Sequence, residues 1–156
     1  VPQVADAVEI PVIAAGGIAT GRQILAAFAL GAEGVQIGTR FAATFESSSS
    51  DIHKKMIVEA KDDSTILTLK KLTPVRLYKN KFALEADAAE KSGAPVDELK
   101  QILGAKRERK GIFEGDMDEG ELEMGQSSGL VHDIKSAKEV ITDLIAEYNQ
   151  TIQKIR

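Results

Sequence analysis

Two short groups carry the residues most suited to chemistry, Ala15-Gly16-Gly17 and Gln36-Ile37-Gly38-Thr39. The first closes an apolar run from Ile10 to Ala15, and the second belongs to a run from Gly34 to Thr39. Glycine at the end of a strand lets backbone N–H groups approach a ligand with no Cβ in the way. The positive end of a following helix adds attraction for an anion. Two such ends side by side would cradle one phosphate monoester, with Thr39 adding a hydroxyl donor and Arg40 a charge if it turns inward. Gln36 reads either as a polar side chain beside the ligand or as a buried glutamine bonded to backbone. The plainer alternative is that the glycines only make tight strand-to-helix turns. Their recurrence at one edge, one helix apart, favours the anion.

Two nucleotide fingerprints are absent. Gly16, Gly17 and Gly21 have the middle glycine misplaced for the dinucleotide pattern, and no glycine-rich stretch ends in the Lys-Ser/Thr of a P-loop.

The elements that must position these groups are strand, helix and strand. Thr20 and Gln23 fit a capping box at the head of a helix from Arg22 to Leu30, and Gly31 suits the left-handed turn after it. Neither flanking run alternates cleanly between apolar and polar, which predicts parallel strands covered on both faces. Residues 1–50 hold six charged side chains against 38 in 51–156, so the first part is expected to be mostly buried. Two parallel strands make no stable sheet, and the remaining strand candidate, Ser64 to Leu69, lies among charges. The missing partners are therefore expected upstream. The opening Val1-Pro2-Gln3, without Met, also reads as one segment of a longer polypeptide.

The rest reads as mainly helical. Ser47 to Asp51 offers caps for a helix from Ile52 to Lys61. Leu72 to Lys81 reads as irregular, Phe82 to Lys91 and Pro95 to Leu103 as helices, Lys106 to Glu114 as a charged third, and Gly115 to Gly129 as a loop or broken helix. Ser136 and Glu139 form a second capping box. After it, Ile141, Leu144, Ile145, Tyr148, Ile152 and Ile155 share one helical face that should dock on the body. The two regions are taken as 1–61 and 62–156.

Composition removes several classes. Aromatic residues are 4% of the chain with no Trp, and 20 basic residues are interspersed with 24 acidic ones for a net charge of −4. That gives neither a stacking surface nor a basic patch for nucleic acid. No apolar run approaches the roughly 20 residues needed to span a bilayer, so no membrane partner is expected. The chain has no Cys, which removes thiolate catalysis and cysteine-based metal sites; no metal is expected. A cysteine-free chain fits a reducing cytosol, and a cytoplasmic location is the expectation.

The run Ile10-Pro11-Val12-Ile13-Ala14-Ala15-Gly16-Gly17-Ile18, followed by Leu30 to Phe41, closely resembles the nitronate monooxygenase family. That family includes the former 2-nitropropane dioxygenases and the flavin-containing enoyl-acyl-carrier-protein reductases. The first block is shared with inosine-monophosphate dehydrogenases and other phosphate-binding barrels; Gly34-Val35-Gln36-Ile37-Gly38-Thr39-Arg40-Phe41 is more specific. Further matches are Pro74 to Asn80, Gly115-Asp116, and Met124 to Val131. The resemblance implies an α/β fold, the last strands and helices of a TIM-type (β/α)8 barrel followed by a C-terminal helical segment. It implies FMN held by its phosphate, with Ala15, Gly16, Gly17, Gln36, Ile37, Gly38 and Thr39 as cofactor-binding residues. It further implies either oxidation of a nitronate by O2 or reduction of an enoyl thioester on acyl carrier protein with NADH or NADPH. A homodimer is carried as an expectation. Catalytic residues are expected upstream of Val1, since the family's histidine belongs to the first half of the barrel. Family members often carry a His between the glutamate matching Glu46 and the next helix, where this chain has serine.

Other polar residues read more plainly. His53 and His132 are expected on the surface, Arg76 and Lys79 as a solvated pair rather than contacts to an anionic substrate or cofactor, and Gln126 and Ser127 as a structural turn rather than a segment folded back over the barrel mouth. Two further readings stay open: a flavin-free phosphate-binding barrel enzyme such as a nucleotide dehydrogenase or lyase, and a structural piece with no activity of its own.

Overall fold

The structure, a computed structural model, describes residues 1–155. After a short helix α1 (Pro2–Ala5) the chain makes strand β1 (Ile13–Ala15), helix α2 (Gly21–Ala29) and strand β2 (Gly34–Gln36). The strands pair in parallel, with Ile13 opposite Gly34 and Ala15 opposite Gln36. The capping box forms at α2: Thr20 Oγ1 accepts from the Gln23 amide at 3.3 Å, and Gln23 Oε1 accepts from the Thr20 amide at 3.1 Å. Gly31 follows at φ +96°, the left-handed geometry expected after the helix. Both strands are shorter than the apolar runs that contain them.

Their burial departs from expectation. Ala14 packs with Ile18, Ala27 and Ala32, and Val35 lies against that cluster beneath α2. On the other side, Ile13 is 55% exposed and Ile10 71%. The charge-poor first third is thus not mostly buried within this chain, because β1 and β2 pair only with each other and α2 covers one face. Among the described residues no later strand joins them. The segment Ser64 to Leu69 contributes β3 (Thr65–Thr68), which pairs antiparallel with β4 (Val75–Tyr78) in a separate hairpin. The latter strand corrects the reading of Leu72 to Lys81 as irregular. Its Val-Arg-Leu-Tyr sequence carries little pattern of its own, and its order comes from pairing with Thr65–Thr68 across the hairpin.

Short helix α3 (Thr39–Ala42) leads to α4 (Asp51–Glu59), capped by Ser50 Oγ, which accepts from the His53 amide at 3.2 Å. Helices α5 (Lys81–Lys91) and α6 (Val96–Leu103) follow the hairpin. The charged third is only a π-helical turn at Arg109–Phe113, and a 3₁₀ turn spans Gln126–Leu130. The principal core joins both regions of the chain: Ala43, Met56 and Ile57 pack with Leu122, Met124 and Val131. Among the described residues, no helix is long and apolar enough to cross a membrane.

Helix α7 (Ala137–Ile155) docks on α2, as its stripe predicted, but through a narrower line. Leu144 is buried with Val140, whereas Ile141, Ile145 and Ile155 are exposed. The two helices approach so closely at Gly21 that a Cβ there would lie 2.4 Å from Leu144 O and Tyr148 N. A crossing that tight brings only one line of α7 into contact. Phe28 and Tyr148 extend it edge to face, ring centres 5.8 Å apart.

Candidate functional site

The carboxyl ends of β1 and β2 converge on a cleft of about 230 Å³, lined by Ala15, Gly16, Gly17, Gln36, Gly38 and Thr39 together with Ile18, Gly125 and Ser127. Parallel register sets the two ends side by side, so the tips are neither splayed nor plugged. Gly16 and Gly17 turn the chain at φ +93° and +72°, which side chains resist. The turn is pinned by one side chain: Gln23 Nε2 donates to Gly17 O at 2.8 Å, while Gln23 Oε1 accepts from the Ala19 amide at 2.8 Å.

Gly38 is the informative position. Its φ is −97°, open to any residue, and a Cβ built there meets nothing within 4 Å. Neither backbone nor packing requires glycine. The free volume opens onto the cleft.

Gln36 is exposed on the cleft wall rather than buried against backbone. Ile37 packs beneath α2 against the Ala14 cluster, so of the six expected residues beside Ala15 it alone does not line the cleft. Thr39 Oγ1 accepts from the Gly125 amide at 2.8 Å, which joins the second glycine edge to a turn 86 residues further on. Gln126 and Ser127 are structural, as read, in being part of a 3₁₀ turn. Ser127 also forms cleft wall, the less favoured of its two readings, placed there by the distant pairing of Gly125 with Thr39.

Two supposed sources of positive charge are spent elsewhere. The first amide of α2, Gly21 N–H, donates to Glu147 Oε2 at 2.7 Å, and Arg22 Nε reaches the other oxygen at 3.0 Å. A carboxylate of α7 thus occupies the helix end that was expected to face an anion. Arg40 turns away as well. It is 7% exposed, and its guanidinium donates to the Asp133 carboxylate at 2.6 Å and to Asp133 O at 3.1 Å. Burial pushes the Asp133 carboxyl up, but the hydrogen bond from Lys135 and the charge of Arg40 outweigh it, leaving the group below its ordinary range. The cleft must hold an anion with amides and hydroxyls.

Beside it lies a larger cavity of about 610 Å³, sharing Gly38, Thr39 and Gly125 and walled by Ser47, His53, Arg76 and Met124 among others. Arg76 donates to Thr65 Oγ1 at 3.2 Å and is half-buried, while Lys79 is exposed, so the two do not form a solvated pair. His132 is exposed as expected; His53 is not. It is 1% exposed, and neither ring nitrogen has a partner. The signal was present: His53, Met56, Ile57 and Ala60 recur at the spacing of one buried helical face.

Burial lowers the His53 pKa below its ordinary 6.5. A histidine held neutral binds fewer protons folded than unfolded once the pH falls below that value. Its contribution to stability is therefore whole above pH 6.5 and declines as the pH drops through it. Denaturation midpoints measured across this range should fall with acid by up to about 1.4 kcal/mol per pH unit. In His53→Gln that part of the slope should vanish; an unchanged slope would assign the acid sensitivity to other groups.

A parallel β-α-β unit with bare glycine at its carboxyl edge is the arrangement of α/β proteins that bind ligands at that edge. A family model, nitronate monooxygenase, matches residues 1–147. The chain belongs to the nitronate monooxygenase family. It is 35% identical over 156 residues to a probable nitronate monooxygenase of Staphylococcus aureus strain MSSA476, covering 98% of this chain and 43% of that protein. A probable nitronate monooxygenase of Bacillus subtilis strain 168 is 34% identical over 148 residues, covering 94% of this chain and 42% of that protein. Among solved structures, FabK from Thermotoga maritima superposes with a TM-score of 0.92 at 41% identity, over 99% of this chain and 49% of that one. A nitroalkane oxidase from Streptomyces ansochromogenes gives 0.78 at 31%, over 99% and 44%. The chain thus spans less than half the length of each of these relatives.

Proposed function

We propose that this chain supplies the phosphate-binding portion of an FMN-dependent oxidoreductase with a (β/α)8 barrel. Residues 1–61 are its last barrel strands, and residues 62–156 pack on them. The amides of Gly16, Gly17 and Gly38, with Gln36 and the Thr39 hydroxyl, would hold the phosphate. The uncovered face of β1 and β2 would meet the remaining strands, which also carry the catalytic residues. One observation carries the reading: Gly38 is glycine with no internal reason to be, at the wall of an amide-lined cleft. A ligand approaching the backbone there supplies the reason.

The residues fit an anionic head group. Two glycine amides on one strand end, a third on its neighbour and a hydroxyl converge on the same cleft, with no carboxylate on its wall. When bound, FMN supplies the redox chemistry, while the chain binds and orients it. The reaction is oxidation of a nitronate by O2 or NAD(P)H-dependent reduction of an enoyl thioester on acyl carrier protein. The family model and the likeness to a nitroalkane oxidase support the first; the likeness to FabK supports the second.

Purification of the whole protein tests this directly. It should be yellow and release FMN on denaturation, and it should consume either a nitronate with O2 or NAD(P)H with a crotonyl thioester. A colourless protein that takes up no added FMN would leave a flavin-free phosphate-binding enzyme as the better reading.

A further inference from the structure

Ser127 stands on the wall of the glycine cleft, at the start of the 3₁₀ turn Gln126–Leu130. Only 8% of its surface is exposed, yet among the described residues no group hydrogen-bonds its hydroxyl. The hydroxyl borders open space that amides already line, so a partner for it would come from that space. Its position is fixed from both sides. Upstream, the Met124 amide donates to Arg76 O at 3.1 Å and the Gly125 amide to Thr39 Oγ1 at 2.8 Å. Downstream, Ser128 is fully buried, and its amide closes the turn on Gly125 O at 3.0 Å. The bond from Gly125 uses Thr39 Oγ1 as an acceptor, which leaves the Thr39 O–H free to donate.

We infer that Ser127 is a binding residue for the anionic head group, its O–H donating to the same phosphate as the Thr39 O–H and the glycine amides. Two hydroxyls replace the charge that Arg40 and the end of α2 commit elsewhere. The phosphate then ties the turn after the hairpin to the two strand ends, so the C-terminal segment forms part of the binding site itself. The naming of FMN rests on the reading above; the anion-binding role of Ser127 does not.

The test compares FMN with riboflavin, which lacks the phosphate, in the whole protein and its Ser127→Ala variant. FMN affinity should fall about 10- to 100-fold, the loss of one hydrogen bond to a charged group, while riboflavin affinity stays constant. Ser127→Cys, similar in volume but a weak donor, should repeat the loss, and melting curves of both variants should match the parent. Equal losses for FMN and riboflavin would reduce Ser127 to a structural role, and no loss for either would overturn the proposal. If the parent takes no flavin, glycerol 3-phosphate titrated by calorimetry replaces it. Weaker binding by Ser127→Ala would then uphold the anion site while the flavin reading fails. Identical binding, or none by the parent, would overturn the site as well.

Discussion

Gly38→Ala should leave the fold intact and cost the whole protein most of its FMN. The new methyl group meets no atom within 4 Å and sits on a backbone at φ −97°, so neither clash nor strain accompanies it. It does project where the phosphate would approach the amide. A displacement of the anion by one methyl radius lengthens several charge-assisted hydrogen bonds together, each of which is stronger than a neutral one. Affinity should drop on the order of 10- to 100-fold, or about 1.4 to 2.8 kcal/mol. Fluorescence titration of the flavin against apoprotein reads the loss, with the melting temperature as control. Unchanged affinity would remove the observation on which the functional proposal stands.

Gly21→Ala should have the opposite signature, a loss of stability. The added Cβ would lie 2.4 Å from Leu144 O and Tyr148 N and 2.9 Å from Glu147 C, all backbone atoms that no rotamer change can move. Helix α7 must back away, weakening the burial of Leu144, the Phe28–Tyr148 contact and the bond from the Gly21 amide to Glu147. Overpacking of this kind costs about 1–3 kcal/mol and more where backbone must shift; the upper end is expected here. Calorimetry should show the lowered transition, and protease should cut earlier near α7. Stability equal to the parent would mean that the helices cross less tightly than described.

These two glycines show how unevenly the sequence disclosed the structure. Both stand in apolar-rich stretches, and nothing local distinguishes them. Gly21 is required by a helix over 120 residues away, and Gly38 by nothing inside the chain. Gly16 and Gly17 were legible as a turn because a positive φ is a local demand. Ser127 read first as a turn residue and only second as part of the mouth, since its place depends on the pairing of Gly125 with Thr39.

What the sequence determined by itself is whatever short-range physics decides. The capping boxes at Thr20 and Ser136 form within four residues, and the glycine edges follow from strands that end beside one another. Tertiary structure alone decided where charge and burial went. It sent Arg40 to Asp133, filled the end of α2 with Glu147 and joined Thr39 to Gly125. Each of those outcomes depends on a partner distant in sequence, and a side chain's partner is fixed only when the chain has closed around it.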